Sequence, residues 1–420
     1  MKQDFFNIDP ALEALVQRVE QEQRESFDRI DRIAQYNSWK VQKAFSDHRV
    51  SESHFAGTTG YGYGDRGRDT LEKVFAQLMG AEDSIIRHNF VSGTNAIATA
   101  LFGVLRPGDV MLSLTGKPYD TLDAVLTGEN VGSLKEFGIH YRQLELLEDG
   151  SVDFAAIPEA VKGVKMAYIQ RSRGYTLRPS LFVEEIEKIA KAVKAANPAA
   201  LVVVDNCYGE FVQTIEPTMV GADLMMGSLI KNPGGGIAQT GGYIAGRHDL
   251  VELCAHRMTS PGVGREVGCS LGESKNMYMG LFFAPTVVAS ALKTAVLAAG
   301  MMQALGYRVL PEAGEPRADI IQTVVTGSPQ GLSAFCRGIQ LGAPIDAFVT
   351  PEAWDMPGYD SPVIMAAGAF HMGASIELSA DGPMREPYAA WMQGGLTYPS
   401  GKIGVLLAAQ SMLEAGLASL

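Results

Sequence analysis

Short apolar runs that alternate with helical stretches constrain the possible folds of this chain more than any other feature of its sequence. The apolar runs lie near residue 85 and at residues 110–114, 166–169, 201–204 and 224–226, and helical patterns lie at residues 70–79, 96–104 and 181–195. Strands that alternate with helices in this way form a mainly parallel sheet with helices on both faces. The sequence therefore predicts an α/β fold with a mostly parallel large sheet.

Different patterns flank this region on both sides. Apolar residues follow the spacing of one helical face through residues 10–50, which predicts an N-terminal helical arm. The C-terminal part is predicted to contain an Ala-rich helix at residues 283–305, strands at 320–326, 347–350 and 375–378, and a final helix at 404–420. We therefore predict three domains: a helical arm at residues 1–58, a large domain at 59–290 and a smaller α+β domain at 291–420.

The composition of the chain excludes some kinds of binding partner and indicates the cellular compartment. The 420 residues include 35 Lys and Arg against 47 Asp and Glu, a net charge of −12, which argues against nucleic acid or an anionic membrane as a partner. No run of about 18 uninterrupted apolar residues and no apolar signal core are found, so we expect a cytoplasmic protein. The cysteines lack CxxC spacing, which argues against disulfides and a zinc site; they are Cys207, Cys254, Cys269 and Cys336.

An aspartate and a lysine follow two neighbouring predicted strands. Asp205 ends the run VVVD, and Lys231 lies in SLIKNPGGG, 26 positions later (231 minus 205). Ligands of parallel sheets bind just beyond the carboxyl ends of the strands, where a carboxylate can hold a cationic nitrogen or a metal. Burial beside a strand is expected to lower the pKa of Lys231, which suits Schiff-base chemistry. The alternatives are that Asp205 caps a helix or loop and that Lys231 is a surface lysine.

The spacing of Ser228 and Lys231 also matches the Ser-x-x-Lys pair of acyl-serine hydrolases. In those enzymes the serine opens a helix, and partner motifs such as SDN and KTG follow it. Neither triplet occurs in this chain, and Ser228 follows a predicted strand. We therefore reject a hydrolase of this kind.

Two Gly-containing loops provide candidate ligands for a phosphate. The residues between the strand near residue 85 and the next helix are Ser92, Gly93 and Thr94. Unpaired N–H groups at a helix start, a glycine and two hydroxyls can cradle a phosphate, although Ser and Thr also cap helices routinely. The aromatic and basic residues of the run GYGYGDRGRD include Tyr61, Tyr63 and Arg66. No strand directly precedes this run, so it is not a dinucleotide fingerprint, and a Gly-rich surface loop is the alternative.

Together these residues supply the parts of a pyridoxal 5'-phosphate (PLP) site. Such a site needs a lysine for an aldimine, an aspartate for the pyridinium, a helix start for the phosphate and an aromatic residue for the ring. Tyr119 in TGKPYDT, just after the strand predicted at residues 110–114, is the candidate ring-stacking and catalytic aromatic residue. Its alternative is an ordinary half-buried turn tyrosine.

The sequence also resembles a known family. The segments that carry the resemblance are HNFVSGTNAI, GKPYDTL, QRSRGY, DNCYGEF, GSLIKNPGGGIAQTGGYIAG and ELSADGPMREPY. They resemble the methionine gamma-lyase-like family often labelled aluminium-resistance proteins, which is related to the cystathionine beta-lyases and belongs to the PLP enzymes of fold type I. The resemblance runs from about His54 to the C-terminus. It implies a PLP-binding large domain with a mostly parallel seven-stranded sheet, a smaller C-terminal α+β domain and the helical arm.

The resemblance also implies roles for residues. Lys231 would form the internal aldimine, and Asp205 would pair with the pyridine nitrogen. The phosphate would be held within the subunit by Ser92, Gly93, Thr94 and Ser228. The superfamily sends a tyrosine and an arginine to the phosphate of the adjacent subunit, and the residues at those positions here are Tyr61, Tyr63 and Arg66. A site shared between subunits and a homotetramer follow from this likeness.

The substrate cannot be carried over, because the sequence departs from the family near it. Asn95 stands where many members have His, and QRSR at residues 170–173 replaces the usual motif around an Asn that contacts the cofactor. We expect a carbon–sulfur lyase that converts a sulfur-containing amino acid, by β- or γ-elimination, to thiol, 2-keto acid and ammonia. Arg385 in MREPY is the first candidate for the substrate carboxylate and Arg173 the second; a surface ion pair is the alternative for either.

Two further hypotheses stay open at this point. An aminotransferase or racemase would use the same lysine and aspartate. A low-turnover PLP protein linked to aluminium tolerance belongs to another class. The sequence offers no ligand set for direct metal binding, because its histidines are scattered; they include His54, His88, His248, His256 and His371.

Overall fold

The computed structural model of the chain describes residues 5–356, 359 and 361–420. These residues form two compact units. The larger comprises Tyr36–Pro285, and the smaller comprises the segment up to Gln35 together with Thr286–Leu420. The three domains predicted from the sequence, with borders at 58/59 and 290/291, stay a prediction.

A seven-stranded sheet forms the centre of the larger unit. Its strands are β1 (Asp83–Arg87), β2 (Val110–Ser113), β3 (His140–Gln143), β4 (Met166–Gln170), β5 (Leu201–Asp205), β6 (Leu224–Ser228) and β7 (Gly242–Gly246). They lie in the order β1-β7-β6-β5-β4-β2-β3. β7 is antiparallel to both of its neighbours, and the other four pairs are parallel. The predicted fold class, an α/β protein with a mostly parallel seven-stranded sheet, is confirmed.

Burial on both faces explains why the sequences of the central strands are continuously apolar. Every residue of β4, β5 and β6 is buried, as expected for parallel strands covered on both faces. The helices that begin in or belong to this unit are α3 (Arg66–Met79), α4 (Gly93–Val104), α5 (Asp123–Thr127), α6 (Ile157–Ala160), α7 (Val183–Ala196), α8 (His248–Met258) and α9 (Ser274–Ala304). The division between the units falls within α9 and within α2 (Arg24–Asp47).

The smaller unit contains an antiparallel sheet of five strands in the order β10-β11-β12-β9-β8. Its strands are β8 (Arg308–Leu310), β9 (Gln322–Val325), β10 (Val363–Ala366), β11 (Ser379–Pro383) and β12 (Ala389–Gln393). Its other helices are α1 (Pro10–Glu22), α10 (Pro329–Leu341) and α11 (Tyr398–Glu414). The apolar face of α1, including Leu12 and Val16, is buried in the same core as α11 residues such as Val405. The arm helix therefore packs within its own chain.

Two strands predicted in this unit are wrong. Residues 347–350 form no strand, because none of the described strands pairs with them, and Phe348 is 87% exposed. Residues 375–378 form a turn that precedes β11. The Glu377 carboxylate stabilises this turn by accepting hydrogen bonds from the backbone N–H groups of Phe370 and His371. Apolar and β-branched composition alone therefore did not distinguish strands from irregular segments here.

The helix α9 is the one described helix that bears on the expectation that the chain does not span a membrane. By length and composition its 31 residues could cross a bilayer, although the sequence is not apolar without interruption. Of its most apolar 18-residue stretch, 72% is buried within the structure. Burial of this extent is typical of the core helix of a globular protein.

Candidate active site

The carboxyl end of β5 carries the predicted aspartate. Asp205 is buried, and its Oδ1 accepts a hydrogen bond from the backbone N–H of Cys207 at 3.1 Å. The Tyr168 hydroxyl on β4 donates to Oδ2 at 3.4 Å. Because Asp205 is the register partner of Gln170 at the end of β4, the carboxylate lies at the carboxyl edge of the sheet, where parallel α/β folds bind ligands.

The neighbouring strand β6 ends at Ser228, beside the start of α4. The Ser228 hydroxyl is buried and has no hydrogen-bond partner among the described residues. A Cβ atom on Gly93 would lie 3.1 Å from the Ser228 Cβ and 3.5 Å from the Cys207 Sγ. Gly93, Ser228 and Cys207 therefore surround one small space, which a side chain on residue 93 would fill.

The start of α4 has the geometry of an anion-binding helix terminus. Ser92 is the N-cap residue, and its hydroxyl accepts a hydrogen bond from the Asn95 backbone N–H at 3.0 Å. The N–H groups of Gly93 and Thr94 belong to the first turn, whose donors have no partner within a helix. The structure thus brings Ser92, Gly93 and Thr94 to the edge that carries Ser228 and Asp205.

Lys231 follows β6 by three residues and faces the loop after β5. Its Nζ lies 4.0 Å from the centre of the Tyr208 ring. The side-chain amide of the next residue, Asn232, donates to the backbone oxygens of Tyr208 and Glu210, both at 3.0 Å. These bonds tie the Lys231 loop to the loop that begins at Asp205, so the predicted lysine and aspartate belong to one cluster.

The pKa of Lys231 differs from the expectation based on burial alone. Burial lowers the pKa, but the neighbouring Cys207, Tyr208 and Asp205 side chains favour the charged ammonium and raise it by more. The net direction in the cofactor-free protein is upward. The prediction of a lowered pKa was therefore wrong, because the sequence did not show how many anionic and polar groups surround the amine.

The glycines after Lys231 serve packing within the chain. A Cβ on Gly234 would lie 1.7 Å from the Leu229 carbonyl oxygen, and one on Gly235 would lie 2.3 Å from the Gly280 oxygen in α9. Gly235 also has a φ of +55°, in the left-handed region. These two glycines let the Lys231 loop pack against its own backbone and α9, which fixes the position of the lysine.

Tyr119 lies at the same edge of the sheet. Its backbone N–H donates to the Gln170 Oε1 at 2.7 Å, and a Cβ on Gly174 would lie 3.2 Å from its ring. The adjacent Thr121 hydroxyl is 3.1 Å from the Thr94 Oγ1. The Tyr119 turn is therefore linked both to β4 and to the start of α4.

The two candidate arginines are in different surroundings. Arg173 is buried beyond β4, and its Nε donates to the Ser180 Oγ at 3.3 Å. Arg385 is exposed in the smaller unit, between β11 and β12. The structure therefore brings Arg173 to the carboxyl edge of the larger unit's sheet, whereas Arg385 belongs to the smaller unit.

The aromatic and basic residues of the Gly-rich loop point into solvent. Tyr61 and Tyr63 are 73% and 66% exposed, with ring centres 5.6 Å apart, and Arg66 is exposed at the first turn of α3. Their loop is fixed by Arg68, whose Nη1 donates to the oxygens of Gly62 and Gly268, both at 2.9 Å. The three predicted phosphate ligands are thus not brought to the Lys231 cluster of their own chain.

Sequence reasoning missed several groups in this cluster. Cys207, Tyr208 and Glu210 follow Asp205 directly, and Tyr243 lies in β7. The Tyr243 hydroxyl donates to the Glu210 Oε1 at 2.6 Å. Proximity to Asp205 in DNCYGE was a usable signal for the first three, but nothing in GGYIAG indicated that its tyrosine reaches Glu210.

Among the described residues, one cluster of side chains has a geometry that could bind a metal ion. Its members are not among the predicted site residues. One ligand atom each of Asp83, His248 and Glu252 lie within 4.8 Å of one another. The Arg265 guanidinium contacts the carboxylates of both Asp83 and Glu252 at 3.0 Å. Because the Arg265 guanidinium already neutralises these two carboxylates, we interpret the cluster as a set of ion pairs and not as a metal site.

A lysine and an aspartate beside a phosphate-type helix terminus, on a mostly parallel seven-stranded sheet, define the class of PLP-dependent enzymes of fold type I. Comparison with known proteins agrees. The sequence model of the family described as methionine gamma-lyase matches residues 12–413. The chain therefore belongs to the methionine gamma-lyase family, and its cofactor is pyridoxal 5'-phosphate.

Individual relatives extend this result. An uncharacterized protein of Bacillus subtilis strain 168 is 50% identical over 389 residues, which are 92% of each chain. The crystal structure of a carbon-sulfur lyase involved in aluminum resistance from Clostridium novyi NT has a TM-score of 0.93 and 47% identity, covering 97% of both chains. The PLP-dependent protein YhfS of Escherichia coli has a TM-score of 0.61 at 15% identity, covering 91% of this chain and 96% of that one, and shares the fold alone.

Proposed function

We propose that this protein is a carbon–sulfur lyase that eliminates a thiol from the Cβ or Cγ of a sulfur-containing amino acid, releasing a 2-keto acid and ammonia. The observation that carries the proposal is the meeting of Lys231, Asp205 and the Gly93–Ser228 space at one sheet edge. Membership of the methionine gamma-lyase family and the likeness to a carbon-sulfur lyase support the same reaction class.

The cofactor fits the polar groups at this edge. The buried Ser228 hydroxyl has no hydrogen-bond partner among the described side chains and backbone groups, which is costly unless a ligand supplies one. Together with the N–H groups of Gly93 and Thr94 and the Ser92 turn, it would hold the phosphate. Asp205 would pair with the pyridine nitrogen, and Lys231 would form the covalent link.

When bound, the cofactor supplies an electron sink for the carbanion at the substrate Cα. The chain's own residues supply the rest. The Lys231 amine would accept the Cα proton at Nζ and return it later in the reaction. The carboxylate of Asp205 would keep the pyridine nitrogen cationic, and Tyr119 would orient the ring by stacking on it.

The substrate carboxylate needs a guanidinium partner, because bidentate Arg–carboxylate pairs fix both position and orientation. Arg385 remains our first candidate and Arg173 the second. Arg385 is exposed in its own unit and free to meet a carboxylate from solvent, which favours it. Arg173 is buried and bonded to Ser180, which favours a supporting role within the β4 loop.

We further propose that the site is completed by a second copy of the chain. Tyr61, Tyr63 and Arg66 are exposed on a loop that Arg68 holds in place, which is the arrangement needed to reach a phosphate in a neighbouring subunit. A cytoplasmic homotetramer built as a dimer of dimers is the assembly we propose.

The test is a screen of the PLP-loaded protein with sulfur-containing amino acids, including cystathionine and methionine. We expect one of them to yield 2-keto acid, ammonia and free thiol in equal amounts, and the Lys231→Ala variant to yield none. Transfer of the amino group to an added keto acid would show an aminotransferase instead. Absence of any turnover over the whole screen would contradict the lyase and favour a low-turnover PLP protein.

A further inference from the structure

A buried glutamate, Glu210, is hydrogen-bonded through its backbone oxygen to the Lys231 loop and has no part in the proposed mechanism. Glu210 is completely buried in the loop after β5. Its Oε1 accepts the Tyr243 hydroxyl hydrogen at 2.6 Å, while its Oε2 has no hydrogen-bond partner in the described part of the chain. An ionised carboxylate with one oxygen unpaired is expensive in such surroundings, so the neutral acid is favoured.

The backbone around Glu210 is built to hold this side chain in place. Tyr208 and Phe211, on either side of it, have φ values of +72° and +61°, which are unfavourable for residues other than glycine. Asn232, next to Lys231, donates to the backbone oxygen of Glu210. A Cβ on Gly227 would lie 2.6 Å from the Glu210 Oε1, so the glycine before Ser228 makes room for the carboxyl group.

We propose that Glu210, held by Tyr243, is a positioning residue that acts through Lys231: its change of charge sets the pH range in which the lysine nitrogen loses its proton. The inference rests on the proposed function of Lys231 as the cofactor-linked lysine. At neutral pH the uncharged acid leaves Asp205 as the carboxylate of the site, so that Lys231 is not held as an ammonium ion by a second negative charge. At higher pH the ionised Glu210 favours the protonated lysine nitrogen.

The charges around Glu210 fit this role. Burial raises the pKa of Glu210 to about 8, against the opposing effects of the Tyr243 hydrogen bond and of Lys231. Glu216, in the same loop, raises the pKa further, and its own partner is Arg171 at 3.7 Å. Cys207 also faces Glu210, and the carboxylate in turn raises the pKa of that thiol. The titrations of Glu210 and Lys231 are therefore coupled and belong to the pair.

The test is a pH titration of the absorbance of the PLP-loaded protein, which reports protonation of the lysine-linked nitrogen. The absorbance titration curves of wild type and Glu210→Gln should coincide below about pH 7 and separate above about pH 8. There the midpoint for Glu210→Gln should be lower by about one unit, because the variant cannot acquire the negative charge. Tyr243→Phe removes a bond that favours ionised Glu210, so its curve should shift from wild type toward Glu210→Gln.

Glu185→Gln is the matched control. Glu185 accepts a hydrogen bond from the Phe182 backbone N–H at the start of α7, a bond that an amide oxygen can also accept. This variant loses one carboxylate charge, and its titration should follow wild type. Superimposed curves for wild type, Glu210→Gln and Tyr243→Phe would overturn the role of Glu210. A lysine-linked absorbance that persists in Lys231→Ala would overturn instead the proposed function on which it rests.

Discussion

The Nζ atom of Lys231 lies 4.0 Å from the centre of the Tyr208 ring, and Tyr208 holds this position with a φ of +72°. The face of an aromatic ring attracts a cation, which favours the ammonium form of the lysine. The left-handed backbone of Tyr208 is unfavourable by itself, so the surrounding loop must stabilise it. Asn232 contributes to this by donating a hydrogen bond to the Tyr208 carbonyl oxygen.

Replacing Tyr208 should therefore make the lysine easier to deprotonate. Cation–π attraction is worth about 0.5 to 2 kcal/mol, so Tyr208→Leu should lower the pKa of the Lys231 amine by about half a unit to one unit. The pH dependence of the rate at which cofactor-free protein takes up PLP measures this pKa. Tyr208→Phe keeps the ring face and should lower the pKa less than Tyr208→Leu does; a Tyr208→Leu profile identical to wild type would contradict the interaction.

Gly93 offers a test of the proposed phosphate cradle. Gly93→Ala places a methyl group 3.1 Å from the Ser228 Cβ, in the space that we assign to the phosphate. We expect PLP affinity to fall about tenfold or more, the equivalent of about 1.4 kcal/mol. The Tm should change little, because alanine suits a first helical turn better than glycine.

The control for this variant is Gly314→Ala, where an added Cβ would meet only the Gln23 side chain, at 4.0 Å. Its PLP affinity, measured by equilibrium titration, should equal that of wild type. Equal affinities of Gly93→Ala and wild type would show that the phosphate lies elsewhere.

The raised pKa of Glu210 also predicts how stability changes with pH. An acid whose pKa is about 8 when folded and near 4.5 when unfolded binds its proton more tightly in the folded state. Its contribution to the free energy of unfolding is full below about pH 4.5 and is lost as the pH rises to about 8, by at most about 1.4 kcal/mol per pH unit. The Glu210→Gln variant has no carboxyl group at this position, so its free energy of unfolding does not decrease with pH for this reason.

Calorimetry of both proteins at pH 5.5 and 7.5 measures the effect. The Tm of Glu210→Gln relative to wild type should be higher at pH 7.5 than at pH 5.5. A Tm difference that is the same at both pH values would mean that Glu210 is not protonated in the folded protein.

The sheet edge could be predicted from the sequence because its determinants are local. The apolar run that ends in Asp205 and the strand before Lys231 belong to consecutive elements, and the ends of adjacent parallel strands meet. Gly93 could be predicted as a phosphate ligand because a glycine between a strand and the start of a helix is typical of anion-binding sites. The same local reasoning did not reveal the raised pKa of Lys231, which depends on Cys207 and Tyr208 side chains that face the amine.

Other features depend on long-range pairing. Tyr243 reaches Glu210 because β7 runs antiparallel to β6 and places Tyr243 opposite Gly227. No pattern in a run of glycines and apolar residues specifies that register. Exposure is not specified locally either: the family resemblance implies that Tyr61 and Tyr63 reach the phosphate of the adjacent subunit, and only the structure shows that both rings face solvent in the single chain.

A shared site predicts that two inactive variants can complement each other. Lys231→Ala and Arg66→Ala damage sites from opposite subunits, so chains mixed and reassembled together should contain about a quarter of intact sites. We expect recovery of lyase activity to about that fraction. A mixture of Lys231→Ala with Asp205→Asn is the control, because both changes lie in the same chain's contribution and no intact site forms. An Arg66 mixture that regains no more activity than this control would contradict the sharing of sites between subunits.

The most direct test of the central claim locates the cofactor on the chain. The PLP-loaded protein is reduced with borohydride, which fixes the lysine–cofactor link, and its peptides are analysed by mass spectrometry. We predict one pyridoxyl adduct, on the peptide that contains Lys231, retained when the exposed Lys191 is changed to alanine and lost in Lys231→Ala together with the yellow absorbance. An adduct on another lysine, or an unchanged spectrum of Lys231→Ala, would contradict the account.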